Sequence, residues 1–201
     1  MALLTRLVVG GSWRAAQWRC VVLCCMLTFP GATGAQAPAP PPPAITAENQ
    51  LKAVFLFNFA QFVEWPARTF KEAKEPIVIG MLGDDPFGAY LDELVRDEKI
   101  GERPIIVRRY PRVEDVAACH ILFISRSEAG QLDKILAQIK ARSLLSVGDM
   151  DGFNRLGGMV RFATDGGKIQ LRINVAAARA AELTISSKLL AHATIVPPGK
   201  D

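Results

Sequence analysis

The densest apolar and aromatic stretch after the first 30 residues spans positions 51–66, and it predicts a helix. At 100° per residue, Leu51, Val54, Phe55, Phe59 and Phe62 fan across one broad face. Ala53, Leu56, Phe57 and Ala60 occupy most of the remainder, while Lys52, Asn58, Gln61 and Glu64 share no face. A helix apolar around so much of its circumference needs cover on more than one side, which places it in a core. Pro66 stops it, because the residue before a proline is pushed out of the helical region.

Beyond that helix the pattern alternates. An apolar strand is expected at 76–82, then a helix opened by Pro86 that carries Phe87, Tyr90, Leu91, Leu94 and Val95. Asp84 or Asp85 is placed to cap it, and proline suits a helix's first turn. A strand starts at 105–107, a short helix covers 113–118, and a buried strand covers 119–124. Ser125 or Ser127 caps a helix through Leu132, Ile135, Leu136 and Ile139, and 144–147 is a fourth short strand. Near-continuous apolar strands separated by helices indicate a parallel sheet covered on both faces. The pattern then changes. Segments 159–163 and 168–174 flank Thr164, Asp165, Gly166 and Gly167, a strong hairpin signal. Ile169, Leu171 and Ile173 point to one side of the second segment, and Lys168, Gln170, Arg172 and Asn174 to the other. An alanine-rich helix is expected at 175–183, and Ser186 or Ser187 caps a last short helix with Leu189 and Leu190. The predicted fold class is α/β: a single three-layer domain over 46–196, with a largely parallel sheet, helices on both faces and a C-terminal antiparallel hairpin, followed by a tail at 197–201.

The amino-terminal segment alters the reading of charge and cysteine. Arg6, Arg14 and Arg19 precede an uncharged apolar run at 20–29, and small residues follow through Ala35 and Ala37. That order is a secretory signal peptide, assigned to 1–35. The apolar run is shorter than a bilayer span requires. In a Gram-negative cell such a leader sends the chain to the periplasm. Residues 36–45 form a proline- and alanine-rich linker that favours extended polyproline II. Removing the leader's three arginines from the 24 basic residues leaves 21 against 20 acids, so the remainder is nearly neutral. Arg103, Arg108, Arg109 and Arg112 are interleaved with acids, and no electrostatic footprint for nucleic acid remains. Cys20, Cys24 and Cys25 leave with the leader, so Cys119 alone stays and no internal disulfide is expected.

Catalytic constellations are not evident. Cys119 and His120 are adjacent strand residues that point to opposite faces and cannot form a dyad. Asp84 and Asp85 follow the first strand, where open α/β sheets bind ligands, but Ser125 and Arg126 close the third strand without a phosphorylatable aspartate. Asp149 and Asp151 lack the remaining ligands of a calcium loop. Residues 152–158 lack the lysine and hydroxyl of a phosphate loop. Neither a metal nor another cofactor is expected.

Lys52 to Pro66, the strand from Cys119 to Ser125, and the stretch Ser146 to Asp149 resemble the YfiR family. So do Gly157 to Phe162, the pair Ile173 and Asn174, and Ile185 to Leu190. The resemblance covers about residues 46–196 and is carried by these motifs in this order behind a signal peptide. It implies a periplasmic α/β protein that is not an enzyme. Such proteins bind the periplasmic sensor domain of an inner-membrane diguanylate cyclase and hold it inactive, which lowers cyclic di-GMP and biofilm formation. An outer-membrane OmpA-like lipoprotein with a peptidoglycan-binding domain sequesters such repressors. The resemblance also implies a homodimer. Relatives use cysteine pairs that this chain lacks, and they often turn at a glycine where this chain has Glu182, so the helix is expected to continue there. Trp65 and Phe153 are the expected apolar anchors of a partner- or ligand-binding surface, with Arg172 and Asn174 from the polar side of the last strand. The alternative is a periplasmic small-molecule-binding sensor module without a cyclase partner, its crevice near Asp84, Asp85 and Ser125. A periplasmic hydrolase is the third reading, disfavoured by the missing constellation.

Overall fold

The computed structural model describes residues 45–201, so the signal peptide expected at 1–35 and nearly all of the linker expected at 36–45 lie outside the described residues. In chain order the elements are α1 (Ala47–Phe62), β1 (Val63–Glu64), β2 (Ile77–Leu82), α2 (Ala89–Val95), β3 (Lys99–Ile100), β4 (Arg103–Tyr110) and β5 (Ile121–Ile124). Then come α3 (Leu132–Ile139), β6 (Leu145–Gly148), β7 (Val160–Asp165), β8 (Lys168–Ile173), α4 (Val175–Ala180), β9 (Thr184–Ile185), α5 (Ser187–Leu190) and β10 (Ala193–Ile195).

Eight strands form one sheet in the order β10-β8-β7-β6-β5-β2-β4-β3. The run from β4 through β2, β5 and β6 to β7 is parallel, as the apolar strands with helical crossovers require. All six residues of β2 are buried, the mark of a strand covered on both faces. Its side chains sort by alternation. Ile77, Ile79 and Met81 join Ile121 and Phe123 in a cluster with α1 and α2. Leu82 joins Leu122 and Ile124 in a second cluster with α3. These two clusters make the three layers of an α/β domain.

The expected hairpin is present. β7 and β8 pair antiparallel from Val160 opposite Ile173 to Asp165 opposite Lys168. Gly166 (φ 55°) and Gly167 (φ 77°) form its two-residue loop, and both sit in the left-handed region that matches the strands' twist.

Several boundaries differ from the pattern. α1 begins at Ala47, where Thr46 accepts a hydrogen bond from the Asn49 amide (3.2 Å), and ends at Phe62, ahead of Pro66. Val63 and Glu64 instead pair with Ile185 and Thr184, a two-stranded sheet too short to carry a period. The helix expected from Pro86 starts at Ala89, because Asp85 accepts the amides of Phe87 (2.8 Å) and Gly88 (3.1 Å) and holds a turn there. The helix expected at 113–118 is a 3-10 turn, Val113–Asp115. α4 stops at Ala180 and does not continue to Leu183. The Leu183 amide donates to Ala178 O and the Glu182 amide to Arg179 O, a Schellman closure with Glu182 (φ 60°) in the left-handed position. Here a glutamate makes the turn that glycine commonly makes.

Candidate functional site

The helix that opens the domain is covered on one side only. Ala53, Leu56, Phe59 and Ala60 are buried against the sheet. Phe59 and Phe55 pack on Phe162 of β7 with ring centroids 6.0 and 5.9 Å away. Lys52 is buried as well, and its Nζ lies 2.8 Å from both Glu48 and Asp149. The ion pair pulls the Glu48 carboxyl below its ordinary pKa, with the hydrogen bond from Lys52 as the largest cause. These contacts fix which side of α1 meets the sheet. The stripe left outside is Leu51, Phe55, Asn58 and Phe62, spaced i, i+4, i+7 and i+11, with Leu51 45% exposed.

Phe55, Asn58 and Phe62 form one wall of a groove of about 670 Å³. Leu171 of β8 and Leu189 of α5 are also apolar lining residues. Lys188 and His192 also border it, and no acidic side chain lines it. Ser186 caps α5 by accepting the Lys188 amide (3.3 Å), as its sequence position foretold, and so fixes the start of that wall. The groove offers two half-buried aromatic rings, an apolar floor and a basic rim. That chemistry suits an apolar segment flanked by carboxylates.

Of the four residues expected to meet a partner or ligand, Phe153 is sealed inside, and for it the expectation is corrected. Phe153 is 0% exposed, wedged against Gly148 and Gly158 so closely that a Cβ on either would approach its ring to 2.6 and 2.2 Å. Asn174 is 2% exposed, and its Oδ1 accepts the Ala177 amide (3.0 Å) to cap α4. Arg172 is half-buried, and its carbonyl accepts from Asn154 Nδ2 (3.5 Å). Asn154 Nδ2 also serves the carbonyls of Gly158 and Met159 (3.2 Å each), and Asn174 Nδ2 donates to Asn154 O (3.5 Å). The structure thus brings Phe153, Arg172 and Asn174 together around one buried asparagine, as a brace for the loop before β7. Trp65 stands apart from them, half-buried, its indole N–H donating to His120 O (3.2 Å). Sequence reasoning missed the groove. The signal for it is the spacing of Leu51, Phe55 and Phe62, a face that the apolar pattern alone places under cover.

Around the crevice expected near Asp84, Asp85 and Ser125 the neighbouring polar groups are engaged with one another. Ser127 Oγ accepts the Asp84 amide (3.0 Å), and a Cβ on Gly83 would lie 2.4 Å from that oxygen. Asp85 is committed to the turn before α2 and to Arg109 Nε (2.7 Å). Asp92 also pairs with Arg109, and the two carboxylates raise the guanidinium's pKa, the Asp92 bond most. Among the described residues no group of three or more histidine, cysteine or acidic side chains is placed to hold a metal. Cys119 and His120 do face opposite ways. Cys119 packs in the α3-side cluster, and burial pushes its thiol up to about 12. His120 packs against Trp65 and Phe70.

Comparison with known proteins places this arrangement. No curated protein matches the chain. The model of the YfiR/HmsC-like family matches residues 49–194, from the first turns of α1 to β10. The match takes in both clusters, the groove and the braced loop, and on it the chain belongs to the YfiR/HmsC-like family.

Proposed function

We propose that this protein is a periplasmic regulator that binds the periplasmic sensor domain of an inner-membrane diguanylate cyclase and represses it. Cyclic di-GMP and biofilm formation then fall. The family match supports this reading, since the family acts in diguanylate cyclase signalling. The single structural observation that carries it is the open stripe of α1. Two half-buried phenylalanines border a 670 Å³ groove with a basic rim, which suits a docked amphipathic segment. The occupant is an amphipathic segment of the sensor domain, with apolar anchors for Phe55, Phe62 and Leu189 and carboxylates for Lys188 and His192.

Repression follows from linkage. A regulator that binds the inactive cyclase more tightly than the active one shifts the population by that difference in affinity and no more. A homodimer presents two such grooves, and an OmpA-like outer-membrane lipoprotein that sequesters the regulator releases the cyclase. The leader at 1–35 delivers the chain to the compartment where both partners are reached, and no chemical step is assigned to the protein.

The test pairs calorimetry of the protein from Gln36 onward against the sensor domain of the cell's own cyclase with cyclic di-GMP measured in cells with and without the gene. Binding with nucleotide rising on deletion is expected. Absence of both overturns the reading.

A further inference from the structure

Among the described residues six buried side-chain polar atoms have no hydrogen-bond partner, and two of them, His120 Nε2 and Thr69 Oγ1, come from different segments that meet. Their residues border the same hollow of about 160 Å³ beside the amino end of β5, with Arg142 and Ser143 on its wall and no acidic side chain lining it.

His120 is 2% exposed, and its position is fixed on every side. Its Nδ1 accepts the Val78 backbone N–H (3.0 Å), so the neutral ring carries its proton on Nε2. Phe70 stacks on the ring at 4.6 Å and 14°, and Trp65 meets it edge-on at 5.9 Å and 86°. The Arg103 guanidinium lies 3.7 Å from the Phe70 centroid. Arg103 also donates to the carbonyls of Glu72 and Glu75 (2.9 Å each), which secures the segment bearing Phe70. Rotation of the imidazole would forfeit the Val78 bond, so Nε2–H is a fixed donor without an acceptor. Burial, the largest cause, lowers the His120 pKa to about 4, while Glu75 raises it and Arg103 lowers it. At neutral pH the ring therefore brings a proton and no charge. Positive charge comes from Arg142, whose guanidinium donates to Val116 O (2.6 Å) and to Ala117 O. Those carbonyls take two of its five N–H donors.

We propose that this hollow binds a small carboxylate, one oxygen accepting from His120 Nε2–H and the other from Arg142, with the Thr69 hydroxyl as a further partner. Two N–H donors from different side chains, one of them charged, match the two acceptor oxygens of a carboxylate. The hollow, about 160 Å³, has room for a small acid such as acetate. The inference is independent of cyclase binding, because the groove and the hollow share no residue.

The chain has only two histidines, His120 and His192, so nitrogen NMR of the imidazoles resolves the site without crowding. Acetate is the probe, titrated against chloride at matched ionic strength. A saturable shift of the His120 Nε2 resonance is expected, with His192 unmoved. Thr69→Val is expected to weaken acetate about threefold to tenfold, the worth of one neutral hydrogen bond, while the Nδ1 resonance shows the Val78 bond intact. A His120 signal that stays protonated and hydrogen-bonded but never responds to acetate overturns the proposal and leaves a buried water as the acceptor.

Discussion

The same residue type does opposite work on the two faces of the sheet. On the α3 side Phe153 is wholly enclosed, its ring pressed against Gly148 and Gly158. On the α1 side Phe55 and Phe62 are half-buried and border a groove. The difference lies in the neighbours. Two glycines without side chains make a slot that only a flat ring fills, whereas α1 buries Leu56 and Phe59 with its alanines and Lys52 and leaves Phe55 and Phe62 at the edge of that contact. Being large and apolar therefore does not identify a binding anchor; the cover around the ring does.

The largest effect that would break this contrast is at Phe153. Phe153→Ala is expected to cost about 3–5 kcal/mol of unfolding free energy, since the rigid slot cannot collapse. Gly158→Ala should cost about 1–3 kcal/mol from the opposite cause, a methyl forced into the ring. Denaturant titration measures both. If Phe153→Ala proved nearly neutral in stability but abolished partner binding, the enclosed face would be the functional one.

How far this was legible in the sequence follows from the same residues. The α/β alternation, the parallel core strands and the Gly166-Gly167 hairpin are local patterns, and each appears in the structure. The enclosure of Phe153 was not legible, because a phenylalanine in a glycine-rich turn does not declare whether its ring closes onto Gly148 and Gly158 or faces outward. Two features were not local. A helix apolar all round does not declare which side the sheet takes; that depends on Lys52 finding Asp149, 97 residues away. Nor does a two-residue strand such as β1 reveal a partner at Ile185. Of the four expected site residues, Arg172 and Asn174 rest on strand alternation, which foretells the side of a sheet but not whether another loop covers it.

Proton linkage sharpens the contrast at neighbouring positions. His120 has a folded pKa of about 4 against 6.5 unfolded, so its contribution is complete above pH 6.5 and is lost as pH falls toward 4. The span corresponds to roughly 3 kcal/mol. Cys119, facing the α3 side, has a folded pKa of about 12 against 9.0, so its contribution is complete below pH 9 and is lost as pH rises toward 12. Urea midpoints across pH 4–11 should show both limbs, and Cys119→Ala should flatten the alkaline one alone. An alkaline limb unchanged in that variant would place the cause elsewhere.

At the groove the expected stability change is smaller and the binding change larger. Phe62→Ser removes a half-exposed ring and should lower stability by no more than about 1–2 kcal/mol. It should weaken sensor-domain binding by at least about 2 kcal/mol, roughly thirtyfold, if Phe62 is an anchor. Lys188→Glu reverses a rim charge and should chiefly slow association and reduce its salt dependence. Calorimetry with stopped-flow association separates the two effects. Wild-type affinity in both variants would remove the groove from the interface.

The smallest effect concerns the turn that delivers the chain to β9 and α5, and so to the groove's far wall. Glu182 sits at φ 60°, where a side chain costs about 1–2 kcal/mol relative to glycine. Glycine there also gives the unfolded chain more freedom, a loss of about 0.4–1 kcal/mol, so Glu182→Gly should gain about 0.5–1 kcal/mol. Its exposed ion pair with Arg68 offsets little of that. Glu182→Ala keeps the strain and forfeits the pair, so it should show no gain. The urea midpoint should rise for the glycine variant with an unchanged slope, which marks a stability change without a change in surface exposed. If both variants lost stability equally, the Arg68 contact and not the Schellman closure would hold the turn. The wall of α5 would then depend on a surface ion pair, and high salt should loosen the groove while leaving the Phe153 slot untouched.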